Sequence, residues 1–257
     1  MHRIITVLHS AQEIFPMHTL ENRTFLVTGA SSGIGRAIAK RLLADGHKVI
    51  GTSRNRQKFT VAHPHFFPLE WDLSDLNSLS VKAKSLLKNF PDVNGVIFAA
   101  GFGQFGSLEE FSYAQIENLM TVNFTSIAFL TRALLPALKR KNHADLIFIG
   151  SEAALKGSRK GAMYCASKFA LRGFSQAVRE ECASNGVRVS LINAGMVKTP
   201  FFEALNFEAG EQRCQHLLPE DVAHVVLSVL NAHPQISIDE INLNPLQKVV
   251  QFKKLNK

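Results

Sequence analysis

Cysteine is scarce in this chain of 257 residues. Cys165, Cys182 and Cys214 are odd in number and widely spaced, which argues against a disulfide framework and against a zinc site, and for a reducing, cytoplasmic compartment. No metal is expected. Long apolar runs are missing too: the stretch from Ala128 to Leu138 is broken by Arg132 and Pro136 and falls short of the ~20 residues that cross a bilayer, so no membrane partner is expected. The opening segment carries His2, His9 and Glu13 and lacks the small-residue cleavage pattern of a secretory signal. Residues 1–20 read as an appendage, with Met17 as a hypothetical translation start that an intact mass retaining residues 1–16 in protein made from the native gene would contradict.

Basic side chains exceed acidic ones, with a formal net charge of +8. They are scattered apart from Lys139-Arg140-Lys141 and the ending Lys253, Lys254 and Lys257, with no basic stripe interleaved with aromatics as a nucleic-acid channel requires. Nucleic acid is therefore not an expected partner. No linker, internal repeat or low-complexity tract divides the chain. One domain is expected over residues 21–250, followed by a basic tail at 251–257.

What is present is an alternation. Short apolar runs predict buried strands at Thr24 to Thr28, Lys48 to Thr52, His65 to Leu69, Gly95 to Ala99, Asp145 to Gly150, Arg188 to Ile192 and Glu240 to Leu243. Amphipathic stretches predict helices at Gly33 to Ala44, Asp75 to Asn89, Tyr113 to Lys139, Ala162 to Ala183 and Glu220 to Asn231. Strands alternating with helices favour a parallel sheet, because each right-handed crossover lays its helix against a face. The expected fold is α/β, a Rossmann-type doubly wound parallel sheet of about seven strands with helices on both faces. Ligands then bind beyond the carboxyl ends of the strands.

After the first strand stands Thr28-Gly29-Ala30-Ser31-Ser32-Gly33-Ile34-Gly35, opening a helix. Glycines there permit a tight turn and a close backbone approach to a pyrophosphate, and the helix's first N–H groups attract the anion. Missing at the end of the second strand is the acid that would accept a hydrogen bond from the ribose 2′-hydroxyl of NAD(H). Ser53 and Arg54 stand there instead, with Arg36 nearby, a set suited to the 2′-phosphate of NADP(H). Ser151 closes the fifth strand, and Tyr164 and Lys168 lie one turn apart on the next helix, with enough chain between Ser151 and Tyr164 to fold one back over the other.

On these residues the chain resembles the short-chain dehydrogenases/reductases from Thr24 to about Asn244. The shared motifs are the glycine turn, Asp72-Leu73, Asn123, Ser151, Tyr164 with Lys168, and Asn193-Ala194-Gly195-Met196-Val197-Lys198-Thr199-Pro200. The resemblance implies an oxidoreductase moving a hydride between NADP(H) and a carbonyl or alcohol. Tyr164 would be the acid and base, and Ser151 would hold the substrate oxygen. Lys168 would lower the Tyr164 pKa and hold the nicotinamide ribose, and Asn123 would hold a helix irregularity and a proton-relaying water. Cofactor contacts would come from Gly29, Ser31, Ser32, Gly33, Ile34, Gly35, Ser53, Arg54, Asp72, Leu73, Ala100, Gly101, Tyr164, Lys168, Gly195, Val197 and Thr199, although Asp72 serves equally well in a turn before a helix.

Two departures from the family pattern matter. Phe98-Ala99-Ala100-Gly101 stands where Asn-Asn-Ala-Gly is common, so polar ties between central strands are expected to be missing, and Ala194-Gly195 replaces the usual Pro-Gly, which should loosen that turn. A short substrate cap is expected at 201–218. Phe201, Phe202, Leu205 and Phe207, with Phe102, Phe105, Leu155 and Met196, point to an apolar or aromatic carbonyl compound. The carboxyl end lacks the glycine-rich ending common in 3-oxoacyl-carrier-protein reductases and looks more like that of 3-hydroxy acid dehydrogenases and assorted carbonyl reductases. An acyl-carrier-protein reductase and a non-catalytic NADP(H) sensor remain the alternatives. Association as a homodimer or homotetramer through the two longest helices is also implied.

Overall fold

The computed structural model describes residues 22–253; the appendage, Met17, Lys254 and Lys257 lie outside the described residues. Strands β1 (Thr24–Thr28), β2 (Lys48–Ser53), β3 (Phe66–Glu70), β4 (Val93–Phe98), β5 (Ala144–Ile149), β6 (Val187–Ala194) and β8 (Glu240–Leu243) form one sheet in the order β3-β2-β1-β4-β5-β6-β8. Every pairing in it is parallel. The order reverses beside β1, and the crevice at that switch point is where such sheets take ligands.

Successive strand residues face opposite sides, and the apolar side chains sort accordingly. Phe25, Val27, Val49, Ile97, Ile147 and Ile192 pack with helices α1 (Gly33–Ala44) and α6 (Pro219–Leu230). Leu26, Ile50, Val96, Phe98, Leu146 and Phe148 pack with α2 (Leu76–Asn89), α4 (Ser126–Leu138) and α5 (Ala162–Cys182). Because both faces are covered, the strands are apolar almost throughout. Phe98 and Phe148 stack at 5.3 Å with 10° between ring planes, joining β4 to β5 at the level of the site.

The helix expected from Tyr113 to Lys139 is not uniform. It comprises α3 (Tyr113–Met120), a π-helical turn at Thr121–Thr125 and α4, which runs through Pro136. As one continuous element, Tyr113–Leu138 is long and apolar enough to cross a membrane, contrary to the sequence expectation drawn from the shorter run. One face of it packs in the core, where Ile127, Leu130, Leu134 and Leu138 are fully or almost fully buried against the sheet.

The chain end also differs from expectation. A strand, β9 (Val250–Phe252), pairs antiparallel with β7 (Phe207–Ala209), so the tail anticipated from residue 251 begins as part of a ribbon over the cap. Lys253 secures it, its backbone N–H donating to the Asn206 carbonyl at 2.8 Å and its ammonium to the carbonyls of Phe202 and Glu203.

At the opposite end of the sheet from the crevice lies a buried ionic knot. Asp145 on β5 meets Arg23 at 2.7 Å and Arg188 at 2.7 Å, and the His143 ring at 3.2 Å. Arg188 also donates to the carbonyls of Leu230 and Ala232 at the end of α6, satisfying acceptors that a helix terminus leaves free.

Candidate active site

The glycine turn explains itself sterically. Gly29 has φ +70°, and a Cβ there would lie 2.9 Å from the Ala100 Cα; at Gly35 a Cβ would lie 2.5 Å from the Gly29 carbonyl oxygen. Only a residue without a side chain lets the turn press against the chain just after β4 and the helix against the turn. Helix α1 then starts at Gly33 with Ser32 making no side-chain cap and no acid in its first turn. The N–H groups of Gly33, Ile34 and Gly35 therefore keep their capacity for an anion.

Ser53 donates to Ser31 at 2.9 Å, fixing the end of β2 beside the turn. Arg54 follows in an exposed position, and Arg36 is half-buried. Asp72 is exposed, and its Oδ1 accepts from the Ser74 N–H at 2.9 Å and the Ser74 hydroxyl at 2.7 Å. Those bonds, with burial opposing them and Arg54 and Lys82 adding attraction, hold its carboxyl below the usual range. Asp72 thus works in the turn before α2, the competing role for Asp at such a position. Leu73 beside it is buried.

The expected loss of polar ties at Ala99-Ala100 is corrected. Thr28 on β1 supplies them, its hydroxyl oxygen accepting from the N–H groups of Ala99 and Ala100 at 3.1 Å each. Similarly, the turn at Ala194-Gly195 is held by the Gly195 N–H donating to the Leu243 carbonyl at 2.8 Å.

Asn123 sits in the π-helical turn and is fully buried. Its Oδ1 accepts from the Phe102 N–H at 3.0 Å, and its Nδ2 donates to the Phe102 carbonyl at 2.9 Å and to Ser167 at 3.3 Å. One amide thereby locks the chain after β4 to α5, underneath Tyr164 and Lys168.

A cavity of about 850 Å³ opens above this floor. Ile34, Ala100, Gly101, Ser151, Tyr164, Lys168, Gly195, Val197 and Thr199 line it together, whereas Gly29, Ser31, Ser32, Gly33, Gly35, Ser53, Arg54, Asp72, Leu73 and Asn123 do not. The structure brings the serine, tyrosine and lysine into one place. Ser151 caps the 3-10 turn Glu152–Ala154, accepting from the Ala153 N–H at 3.2 Å, and it hydrogen-bonds Tyr164. Lys168 donates to the Ile149 carbonyl at 3.3 Å, its ammonium 5.9 Å from the Tyr164 ring centre.

In the protein alone, the phenol is not acidified as the sequence reading expects. Burial pushes Tyr164 up from 10.0 to about 12, only partly offset by the Ser151 hydrogen bond, while burial pushes Lys168 down from 10.5 to about 8. Desolvation disfavours both charged forms and outweighs any help from the neighbouring ammonium. At neutral pH the site holds a phenol and a largely protonated amine.

The Lys168 shift has a consequence for stability. Its pKa is lower folded than unfolded, so the unfolded chain holds the extra proton between about pH 8 and pH 10.5, and this group's contribution rises with pH through that window. Below it the desolvation cost is fully present. Lys168→Met is therefore expected to be more stable than the parent at neutral pH by up to roughly 3 kcal/mol, an advantage that fades through the alkaline window. Urea unfolding at neutral and alkaline pH checks this; a pH-independent difference would show that the shift is not its source.

Phe102, Phe105, Phe201, Phe202 and Phe207 line the cavity, and Tyr164 packs on Phe105 at 5.0 Å and Phe201 at 5.9 Å. Met196 also contributes, but Leu155 and Leu205, expected there, do not. Sequence reasoning missed the walls supplied by Lys248, Val250 and Phe252, because a three-residue strand is too short to show a period. It also passed over Lys156, Arg159 and Lys160 on the loop before α5, which line the same cavity. Lys248 is ion-paired with Glu152. Among the described residues no cluster of His, Cys, Asp and Glu could hold a metal.

The comparisons agree with this architecture. Residues 23–209 match the family model described as short chain dehydrogenase. An NADP-dependent 3-hydroxy acid dehydrogenase of Schizosaccharomyces pombe is 29% identical over 249 residues, covering 89% of this chain and 95% of that protein. A 3-oxoacyl-[acyl-carrier-protein] reductase of Buchnera aphidicola is 29% identical over 191 residues, 73% of this chain and 78% of its own length. Among solved structures, an alcohol dehydrogenase from the archaeon Thermococcus sibiricus, complexed with 5-hydroxy-NADP, is 27% identical with a TM-score of 0.80, covering 89% of this chain and 99% of that one. By fold, by site and by this match over most of its length, the chain belongs to the short-chain dehydrogenase family, as an oxidoreductase.

Proposed function

We propose that the protein is an NADP(H)-dependent oxidoreductase that interconverts a carbonyl compound and its alcohol, with Tyr164 as acid and base. The observation that carries this reading is the Tyr164 phenol, hydrogen-bonded to Ser151 beside the Lys168 ammonium on the wall of the cavity. When bound, NADP(H) supplies or accepts the hydride. The glycine turn with no room for a Cβ, the uncapped start of α1 and the pair Ser31 and Ser53 fit its phosphates, with Arg54 and Arg36 for the 2′-phosphate.

On reduction the substrate oxygen gains negative charge. Ser151 stabilises it by hydrogen bonding, and the Tyr164 hydroxyl gives up its proton to it. A phenol held near 12 is wholly protonated before the step, as a donor must be. Lys168, poised near 8, favours the resulting phenolate and is positioned to help return the proton. Asn123 holds the floor and supports water on the route to Lys168.

We further propose a cytoplasmic location, consistent with three free cysteines, and a homo-oligomer joined through α4 and α5, where Phe129 and Phe169 stand exposed. Arg54→Asp tests the cofactor assignment. The ratio of kcat/KM for NADPH over NADH is expected to fall about 10- to 100-fold, since a charge-assisted pair becomes a repulsion. An unchanged ratio would remove Arg54 from cofactor choice.

A further inference from the structure

We infer that the substrate is an aromatic or bulky apolar carbonyl compound bearing a carboxylate away from the reacting carbonyl, and that Lys156, Arg159 and Lys160 recognise that carboxylate. The inference rests on the reading of Tyr164 as proton donor in the same cavity.

The lining is two-sided in chemistry. Around Tyr164 it is aromatic, yet five cationic and two carboxylate side chains also line the cavity. Both carboxylates are engaged: Glu152 pairs with Lys248, and Glu110 accepts from the Ser107 N–H at 2.9 Å. Lys168 belongs to the catalytic floor. Lys156, Arg159 and Lys160 are exposed at the mouth of the cavity, and among the described residues their side chains take no ion-pair or hydrogen-bond partner. A concave wall with unmatched positive charge beside apolar rings concentrates a field that a neutral substrate would not use.

The loop that carries them is held in place. The Gly106 N–H donates to the Lys160 carbonyl at 2.8 Å, the Gly161 N–H to the Ser158 carbonyl at 3.1 Å, and the Ser158 hydroxyl meets the Cys165 thiol at 3.5 Å. Lys160 is the one non-glycine residue with positive φ, at 61°, among those described. Glycine or asparagine would take that conformation at lower cost. These cations lie on the connection between β5 and α5, whereas the expected phosphate contacts lie after β1 and β2, so the cofactor does not account for them.

The test compares para-carboxybenzaldehyde with its methyl ester, and a longer pair with a propyl spacer between ring and carboxylate, using NADPH. The parent is expected to prefer the carboxylate of at least one pair about tenfold in kcat/KM, through KM, and to lose that preference as salt is added. In Lys156→Gln/Arg159→Gln/Lys160→Asn the preference is expected to fall to near one, and in Arg159→Lys/Lys160→Arg to persist. Equal use of acid and ester by the parent in both pairs would overturn the inference while leaving the Tyr164 reading intact. A raised KM for NADPH in the triple variant, with the acid preference kept, would assign the loop to the cofactor and overturn it too. Loop-dependent turnover confined to an acyl-carrier-protein thioester would do the same, by assigning the charges to a protein surface. If no aldehyde in the panel is reduced and NADPH is bound but never oxidised, the underlying reading fails, and the inference with it.

Discussion

Tyr164→Phe is expected to lower kcat/KM for carbonyl reduction by at least ~100-fold, the scale of a lost general acid. NADPH affinity should change little. The substitution removes one hydroxyl and keeps the ring, which is buried against Phe105 and Phe201, so the walls of the cavity stay in place. The hydroxyl's partner is Ser151, whose own hydroxyl oxygen still accepts from the Ala153 N–H. Retention of more than a few per cent of turnover, measured by NADPH absorbance, would mean that another group supplies the proton. A matched loss of NADPH binding, measured by fluorescence, would mean that the ring has moved.

Asp145→Ala is expected to cost about 3–5 kcal/mol of stability, because it leaves two buried guanidinium groups without their counter-charge. Burial by itself would raise the Asp145 carboxyl. The His143 hydrogen bond and the charges of Arg23 and Arg188 outweigh it and hold the group at about 2. A carboxyl whose pKa is depressed by folding contributes stability above its unfolded value, near 3.8, and loses that contribution as pH falls toward 2. The gap between parent and variant should therefore be widest at neutral pH and narrow in acid. Urea midpoints at neutral pH and near pH 3 measure both parts. A loss below about 1 kcal/mol would show that solvent or a shift of Arg23 and Arg188 compensates the missing charge.

Much of this was legible in the sequence because the signals were local. Buried strands such as Leu146 to Ile149 read as unbroken apolar runs, and the glycine turn fell directly after one of them. The order of strand, helix and motif then placed Ser151, Tyr164 and Lys168 at one end of a parallel sheet. Features set by contacts distant in sequence were not legible. Arg23, Asp145 and Arg188 each look like an ordinary charged residue near a strand, and their meeting depends on the pairing of β1, β4, β5 and β6. The ribbon of β7 with β9 depends on two three-residue segments far apart in the chain. Thr28 reads in sequence as one more strand residue, and only the fold shows its hydroxyl accepting from the N–H groups of Ala99 and Ala100.

Environment also decided matters that residue type alone had left open. Asp72 could reach toward a ligand or cap its own turn, and the two bonds from Ser74 show the second role. Lys168 was expected to make Tyr164 more acidic, yet in the protein alone both groups are so well buried that each is pushed toward its neutral form. Nothing local marks the positive loop before α5, because Lys156, Arg159 and Lys160 are exposed loop charges and only the fold places them beside a cavity.

Isotope transfer reaches the proposed chemistry most directly. NADPH carrying deuterium at the transferable position would be incubated with the protein and a panel of aromatic aldehydes and ketones, and the products weighed by mass spectrometry. One deuterium on the carbinol carbon of the alcohol, absent with Tyr164→Phe, is the predicted result. Bound NADPH with no labelled alcohol from any member of the panel would contradict it.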